Sequence, residues 1–263
     1  MRPSLKQALL FAMLLICVAA RAYGQLYTES MITGLGKEQM NIQSYYMPKM
    51  VKMIHDNGDA MIMRFDKELM ISVNNEKQEY SQTTFAELEA KMKEVHRKLD
   101  TAMQEMQKKM ADLPPEQRKM MEQMIGKSLG LGSSGGKLEV KKSGESRTIS
   151  GYACTKLAVT QDDKEILVLW TTKDIKEFAA IRNDYEQLAT RMASMMASNN
   201  RLSGGALAQA WPEAMKAIDG FPIQQEMGGI KTVVTKVEKK STPASEFEPP
   251  TGYKRVEPAS IRQ

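Results

Sequence analysis

The order in which different hydrophobic periodicities follow one another along the chain constrains its fold most strongly. Between residues 25 and 84 apolar and polar residues alternate, as around Met61 and Met63, which is typical of half-buried β-strands. From Thr84 the apolar residues recur every three or four positions, which predicts an amphipathic helix. Alternation returns at Leu138, so the sequence predicts strands, a helix, strands, a helix and a final strand pair.

The first strand block predicts an antiparallel meander of about five strands joined by tight turns. Asn57-Gly58 lies between two apolar runs and predicts a two-residue hairpin turn, because both turn positions favour a positive φ. The polar run Asp66 to Glu68 predicts another break between strands. Thr84 and Glu87 have the spacing of a capping box, which places the start of the helix at Thr84.

Two helical insertions separate the strands, at about residues 84–136 and 174–219. In the first insertion Pro114-Pro115 predicts a break between two helical pieces, and Gly130 to Gly136 predicts a flexible linker. The second insertion predicts one long helix and a shorter piece. Strand meanders with helices between them predict an α+β fold, a curved antiparallel sheet with long amphipathic helices packed on its concave side.

The first 24 residues have the three parts of a secretory signal peptide. Arg2 and Lys6 precede the apolar run Ala8 to Ala20, which is too short to span a membrane as a stable helix, and small residues follow. We therefore expect a signal peptide over residues 1–24 and a mature protein exported to the periplasm, without a stable transmembrane span.

Two features of this segment leave alternatives open. The small residues allow cleavage after Ala22 or, as we expect, after Gly24. Cys17 allows a lipid-anchored form, but lipid attachment normally requires Gly, Ala or Ser before the cysteine, and Ile16 occupies that position. The sequence therefore favours an exported protein without a lipid anchor.

Cleavage of the signal peptide would change the net charge and the number of cysteines in the mature chain. The loss of Arg2, Lys6 and Arg21 lowers the formal net charge from +5 to +2, so the mature chain has no basic excess typical of nucleic-acid binding. Cys154 remains as the sole cysteine, which excludes an internal disulfide. In an oxidising compartment we expect this cysteine to be buried as a small apolar group.

Candidate catalytic and metal-binding residues are few, since the chain has 2 His and 2 Cys. The G-x-G-x-x-G run at Gly130 to Gly135 follows a predicted helix and precedes a strand, the reverse of a dinucleotide-binding loop. His55 beside Asp56 resembles a base with its orienting acid, but no serine nucleophile motif accompanies it. We therefore expect no catalytic residues, no metal and no cofactor, and a hydrolase using His55 is the enzymatic alternative.

Methionine is abundant, with 22 residues concentrated on predicted helix faces and on the strands around Met61 and Met63. The ordinary interpretation is that these side chains pack in the core. Methionine is also flexible and polarizable, and it often lines surfaces that adapt to varied apolar partners. The two interpretations are compatible, and both stay open at the level of sequence.

The C-terminal strands contain a pattern that resembles a known bacterial exported family. The pattern comprises Ile149 to Lys156, an apolar strand ending in Trp170 to Lys173, and Phe247 to Tyr253. It resembles the family catalogued as domain of unknown function 4412, which is similar to the lipoprotein-carrier half-barrels LolA, LolB and LppX. The resemblance implies a curved antiparallel sheet partly closed by helices, an apolar interior suited to a lipid, and no known catalytic residues.

Together these observations predict a non-enzymatic protein of the cell envelope that binds a hydrophobic ligand, such as a lipid or a lipoprotein acyl chain. Residues 25–240 are expected to form a single half-barrel-like domain, and residues 241–263 a proline-containing C-terminal strap. Strand alternation selects the residues expected to line the ligand site. They are Met61, Met63, Phe65, Ile71, Val168 and Trp170. The alternative is a protein-interaction or envelope stress module whose methionine-rich helices bind an envelope protein.

Overall fold

The computed structural model of the protein describes residues 26–34, 39–111, 137–199 and 213–258. The predicted signal peptide, the helical piece after Pro115 and the glycine-rich linker lie outside the described residues. The strands are β1 (Leu26–Thr33), β2 (Met40–Met47), β3 (Met50–His55), β4 (Ala60–Arg64), β5 (Leu69–Asn74), β6 (Glu79–Thr84), β7 (Leu138–Ile149), β8 (Tyr152–Gln161), β9 (Lys164–Thr172), β10 (Phe221–Met227), β11 (Ile230–Lys239) and β12 (Lys254–Arg255).

All twelve strands belong to one sheet, in the order β12-β6-β5-β4-β3-β2-β1-β11-β10-β9-β8-β7. Strands β1 to β6 form one antiparallel meander and β7 to β11 form a second one. The two meanders meet where β1 pairs with β11, a junction that we call the seam. β12 runs parallel to β6 at one edge. The predicted large, curved, mostly antiparallel sheet is confirmed, and it is open.

The helices are α1 (Phe85–Ala111), α2 (Phe178–Asn199) and a short helix at residues 213–217, with a 3₁₀ turn at Ala244–Phe247. The predicted capping box starts α1. The backbone N–H of Thr84 donates to the Glu87 carboxylate at 2.8 Å, and the Glu87 N–H donates to the Thr84 hydroxyl at 3.2 Å. Among the described residues, no helix has the length and apolar character needed to cross a membrane.

The prediction of long helices packed on the concave side of the sheet is not supported. The main contacts of α1 are with β6 and α2. Phe85 at its start is buried, Leu88 and Val95 are half-buried, and its other described side chains are exposed. On α2, Phe178, Ile181 and Leu188 are buried and pack in the cluster that includes sheet residues.

One local prediction needs correction. Asn57-Gly58 is part of a three-residue loop, in which the Gly58 N–H donates to the His55 carbonyl and the His55 N–H donates to the Asp59 carbonyl. Gly58 has a φ of 82° while Asn57 does not have a positive φ, so a type I turn followed by a left-handed glycine replaces the expected two-residue turn. After the helix, β7 is one continuous strand with a bulge between Lys142 and Ser146.

The sheet has two differently covered faces. The inner face lies under α2 and residues 213–217, and includes Val51 and Met63, which pair across β3 and β4. The outer face of β3 to β6 lies under residues 244–258, which we call the C-terminal segment. There Ile62 and Ile71 pack against Phe247, whose side chain has 0% exposure.

Candidate functional site

A cavity of about 250 Å³ lies on the inner face, between the middle of the sheet and α2. Its floor comes from β1, β2, β3, β10 and β11, and Tyr185 and Leu188 of α2 cover it. The apolar side chains of its lining are Ile32, Ile42, Met53, Leu188, Phe221, Pro222, Ile223, Met227 and Val234. This part of the inner face therefore combines an apolar lining with unfilled space.

Strand register explains why distant residues line the same cavity. Side chains directly opposite one another on paired strands point to the same face of a sheet. Ser30 on β1 lies opposite Ile42 on one side and Val234 on the other. Ile32 lies opposite Thr232 on β11, which in turn lies opposite Gln225 on β10. The seam is thus the centre of the cavity floor.

The polar part of the lining consists of hydroxyl and amide groups. Its members are Ser30, Ser44, Tyr46, Tyr185, Gln225 and Thr232. The hydroxyls of Ser44 and Thr28 lie near the Tyr46 phenol. Burial raises the pKa of Tyr46 and of Tyr185 above the ordinary value, because the phenolate loses hydration, so both phenols are neutral at physiological pH.

Aromatic contacts hold Tyr185 over the cavity. Its ring centroid lies 5.6 Å from that of Phe178 in an edge-on arrangement, and 6.1 Å from that of Phe221. The Tyr46 ring lies 6.3 Å from the Tyr185 ring. Such pairs are worth about 0.5–1.5 kcal/mol beyond their buried area, so this cluster fixes the start of α2 on the sheet.

A buried carboxylate provides a second attachment of α2 to the sheet. Asp184, which is 7% exposed, accepts a hydrogen bond of 2.6 Å from the backbone N–H of Lys49 in the turn between β2 and β3. Lys49 has a φ of 63°, a left-handed conformation that is uncommon for a side chain other than glycine. The contact connects the covering helix to the strand turn beside the cavity.

Of the six residues predicted from the sequence to line a ligand site, five belong to or pack against one hydrophobic cluster and the sixth belongs to another. Met61, Met63 and Phe65 lie on the inner face, and Met61 is directly opposite the cavity residue Met53. Ile71 lies on the outer face under Phe247.

Val168 and Trp170 lie on β9 on the side opposite Leu167 and Leu169, which pack against residues 213–217. The Arg147 guanidinium stacks over the Trp170 ring at 3.8 Å. Val168 and Trp170 nevertheless belong to the same hydrophobic cluster as Met63, against which Met61 and Phe65 pack, so only Ile71 lies in a separate cluster.

That the six residues contact a ligand remains a prediction. The cavity itself is lined by other residues. Sequence reasoning did not select its residues on β1, β2, β10 and β11. Alternation at Ile42, Ser44 and Tyr46, or at Ile223, Gln225 and Met227, marks residues that share a face. No local signal indicated that these strands meet through the seam.

A second pocket of about 350 Å³ adjoins the first and shares Ser30 and Ile42 with it. It is more polar and includes Glu29, His55 and Asp56. Asp56 accepts a hydrogen bond of 2.7 Å from the backbone N–H of Asn41, so its carboxylate holds the start of β2. In the part of the chain described, no three His, Cys, Asp or Glu side chains form a group suited to a metal ion.

Comparison with family models identifies the chain's family. The model described as "Domain of unknown function (DUF4412)" matches residues 86–253, which is more than half of the chain. The chain belongs to this family. The resemblance noted in the C-terminal strands is confirmed. No curated protein matches the chain.

Solved structures with a similar arrangement have very low sequence identity. An uncharacterized conserved protein from Thermus thermophilus has 6% identity and a TM-score of 0.43, with 94% of this chain and 99% of that chain covered. MucB in complex with MucA(peri) has 8% identity and a TM-score of 0.37, with 95% and 62% covered. The LolA superfamily protein NE2245 from Nitrosomonas europaea has 6% identity and a TM-score of 0.27, with 87% and 91% covered. At these scores we draw nothing about function from the likenesses.

Proposed function

We propose that the protein is an exported, non-enzymatic protein of the cell envelope that binds a hydrophobic ligand in the inner-face cavity. The observation that carries the proposal is the cavity of about 250 Å³ with a largely apolar lining, between the seam and α2. Small-molecule sites are concave and mostly apolar, with a few polar groups that orient the ligand. The cavity has this composition.

The size of the cavity limits the ligand. Sites for drug-sized ligands are generally about 300–1,000 Å³, so a cavity of about 250 Å³ suits one acyl-chain segment rather than several chains. Each buried methylene contributes about 0.8 kcal/mol, which makes even a short segment a useful source of affinity. Met53 and Met227 in the lining have flexible side chains that adapt to ligands of different shape.

Filling the cavity tests the proposal directly. Ile32 and Met31 are adjacent, half-buried residues of β1 that point to opposite faces, and of the two only Ile32 lines the cavity. We expect Ile32→Trp to weaken binding of the neutral fluorescent probe N-phenyl-1-naphthylamine by about ten-fold or more, because the indole occupies the probe's space. Met31→Trp is the matched control and should bind like the wild type.

Fluorescence titration of the three proteins measures the effect, with circular dichroism as the check on folding. Equal probe binding by the wild type and by folded Ile32→Trp would overturn the proposal. Native mass spectrometry of gently purified protein provides a second test, in which co-purified lipid supports the proposal. A protein that neither carries lipid nor binds the probe contradicts it.

The export part of the proposal has its own test. The N-terminal segment has a basic start, an apolar run and small residues at its end, as signal peptides do. Expression of the full chain in a Gram-negative bacterium should place the protein in the periplasmic fraction, with Gln25 as its first residue by mass spectrometry. Full-length protein retained in the cytoplasm would contradict export.

The alternative function, partner binding through methionine-rich helices, stays a prediction. One observation favours it, since α1 has 27 residues and its main contacts are confined to β6 and α2. Replacing residues 84–136 by a short glycine-serine linker separates the two functions. Loss of a partner in pull-down experiments with intact probe binding favours the interaction module, and the reverse result favours the ligand carrier.

A further inference from the structure

We infer that the inner-face cavity selects uncharged ligands, such as a fatty alcohol or an acyl ester, over an ionised fatty acid of the same chain length. The inference rests on the proposed function, and it specifies the chemical class of the ligand. It follows from the chemistry of the lining, from the groups that surround it and from the hydrogen bonds that it offers.

The described lining provides hydrogen-bond donors but no positive charge to pair with an anion. Within the described residues that line the cavity, every polar group is a hydroxyl or an amide, and none is Lys, Arg, His, Asp or Glu. An ionised group moved from water to an apolar site without an opposite charge is strongly destabilised, and it binds a proton instead. A carboxylate at the head of an acyl chain would face this cost in the cavity.

The charged groups nearest to the cavity do not compensate. Asp184 precedes Tyr185 on α2, and its carboxylate is buried beside the covering residues. In the adjoining pocket, Asp56 and His55 lie beyond Ile42, and Glu29 is paired with Lys236 at 3.4 Å. Among the described residues of the two pockets and Asp184, the charged groups are therefore carboxylates and a histidine, and the lysine nearest to them is already paired with Glu29.

The raised pKa values of Tyr46 and Tyr185 point the same way. Both are raised by burial, since the environment disfavours a negative charge on either phenol. An exogenous carboxylate in the same space would have its own pKa raised for the same reason. The phenols instead remain hydrogen-bond donors, which suits the carbonyl of an ester or the oxygen of an alcohol.

A comparison of two ligands with identical chains tests the inference. Methyl dodecanoate and dodecanoate compete with N-phenyl-1-naphthylamine for the full mature protein at about pH 8, where the acid is ionised. We expect the ester to compete at a concentration about ten-fold lower or less, and the acid to improve as the pH falls towards its own pKa. Equal or stronger competition by dodecanoate at the higher pH overturns the inference.

The same assay separates this inference from the proposed function. If neither ligand nor the probe binds to the folded protein, the proposed function fails. If the probe and both ligands bind with equal affinity, the cavity is a ligand site and only the selectivity inference fails.

A charge introduced into the lining provides the second measurement. Thr232 and Val233 are adjacent half-buried residues of β11, and only Thr232 lines the cavity. Thr232→Lys should shift the ratio of acid to ester affinity by about ten-fold towards the acid, because the ammonium group pairs with the carboxylate. Val233→Lys is the matched control and should leave the ratio unchanged. A folded Thr232→Lys variant with the wild-type ratio overturns the inference.

Discussion

The two faces of the sheet are covered in different ways, although the same strands supply residues to both. On the outer face, Phe247 of the C-terminal segment is fully buried against Ile62 and Ile71. On the inner face, α2 lies above a cavity of about 250 Å³. Protein interiors normally have few voids larger than a water molecule. The inner face is less closely packed at the cavity than the outer face is around Phe247. The outer face beneath the C-terminal segment is therefore closely packed, whereas the inner face combines buried clusters with unfilled space.

The attachments of the two covering elements also differ. The C-terminal segment is held by Arg64, which is 6% exposed and contacts the carboxylate of Glu248, and by a 2.6 Å hydrogen bond from the Tyr253 phenol to Asn75. β12 adds backbone pairing with β6. The attachments of α2 include its aromatic contacts, the bond between Asp184 and the Lys49 N–H, and a 2.7 Å hydrogen bond from the Arg182 guanidinium to the Ile218 carbonyl. The C-terminal segment is therefore attached to the sheet along its length by charge pairs and by backbone pairing.

Removal of the buried ring from the outer face should give the largest effect. Phe247→Ala is expected to lower the free energy of unfolding by about 3–5 kcal/mol, because a fully buried aromatic side chain leaves a cavity. Urea denaturation followed by circular dichroism measures this change. Phe247→Leu is the control and should cost much less. Probe affinity should stay unchanged in both variants, and a parallel ten-fold loss of probe binding would show that the faces are coupled.

The corresponding truncation on the inner face should cost less. Leu188 is 6% exposed and already borders the cavity, so part of its surface lacks packing partners. We expect Leu188→Ala to cost about 2 kcal/mol, at the lower end for such substitutions, and to enlarge the cavity. Probe titration should show equal or tighter binding. A loss of stability equal to that of Phe247→Ala would contradict the difference between the faces.

The smallest effect should be a pH dependence of the stability that the charge pairs on the outer face contribute. The Lys67 ammonium and the Arg64 guanidinium lower the pKa of Glu248, and Arg64 likewise lowers the pKa of Asp66. A carboxyl with a lowered pKa in the folded state contributes stability above its unfolded pKa and loses it as the pH falls through its folded pKa. The contribution of Glu248 should therefore be present at neutral pH and disappear below about pH 4.

Glu248→Gln measures this contribution. The Glu248 side chain is 42% exposed, so solvent screening limits the loss at neutral pH to about 1 kcal/mol. Urea denaturation of both proteins at neutral and acidic pH should show the difference shrinking on acidification. A difference that is independent of pH would contradict the assignment of this stability to the ionised carboxylate.

Local features of the fold were predictable from the sequence, and long-range ones were not. Alternation around Met61 and the spacing of Thr84 and Glu87 predicted strands and the helix start, because both signals arise within a few residues. Phe247 covers Ile71, which is 176 positions earlier in the chain, and alternation alone did not distinguish the covered outer face from the inner one. The same limit applies to the cavity, whose floor joins residues from both meanders.

The seam between β1 and β11 also determines when the sheet is completed during folding. Strands β2 to β5 pair only with their neighbours in sequence, whereas β1 pairs on one side with Ile230–Lys239, near the other end of the chain. Pairings between distant residues form slowly, since a long loop must close before any contact is gained. Until then one edge of β1 is unpaired and prone to join other chains. Because Ile32 and Thr232 meet only at this junction, the floor of the cavity is completed only when the seam forms.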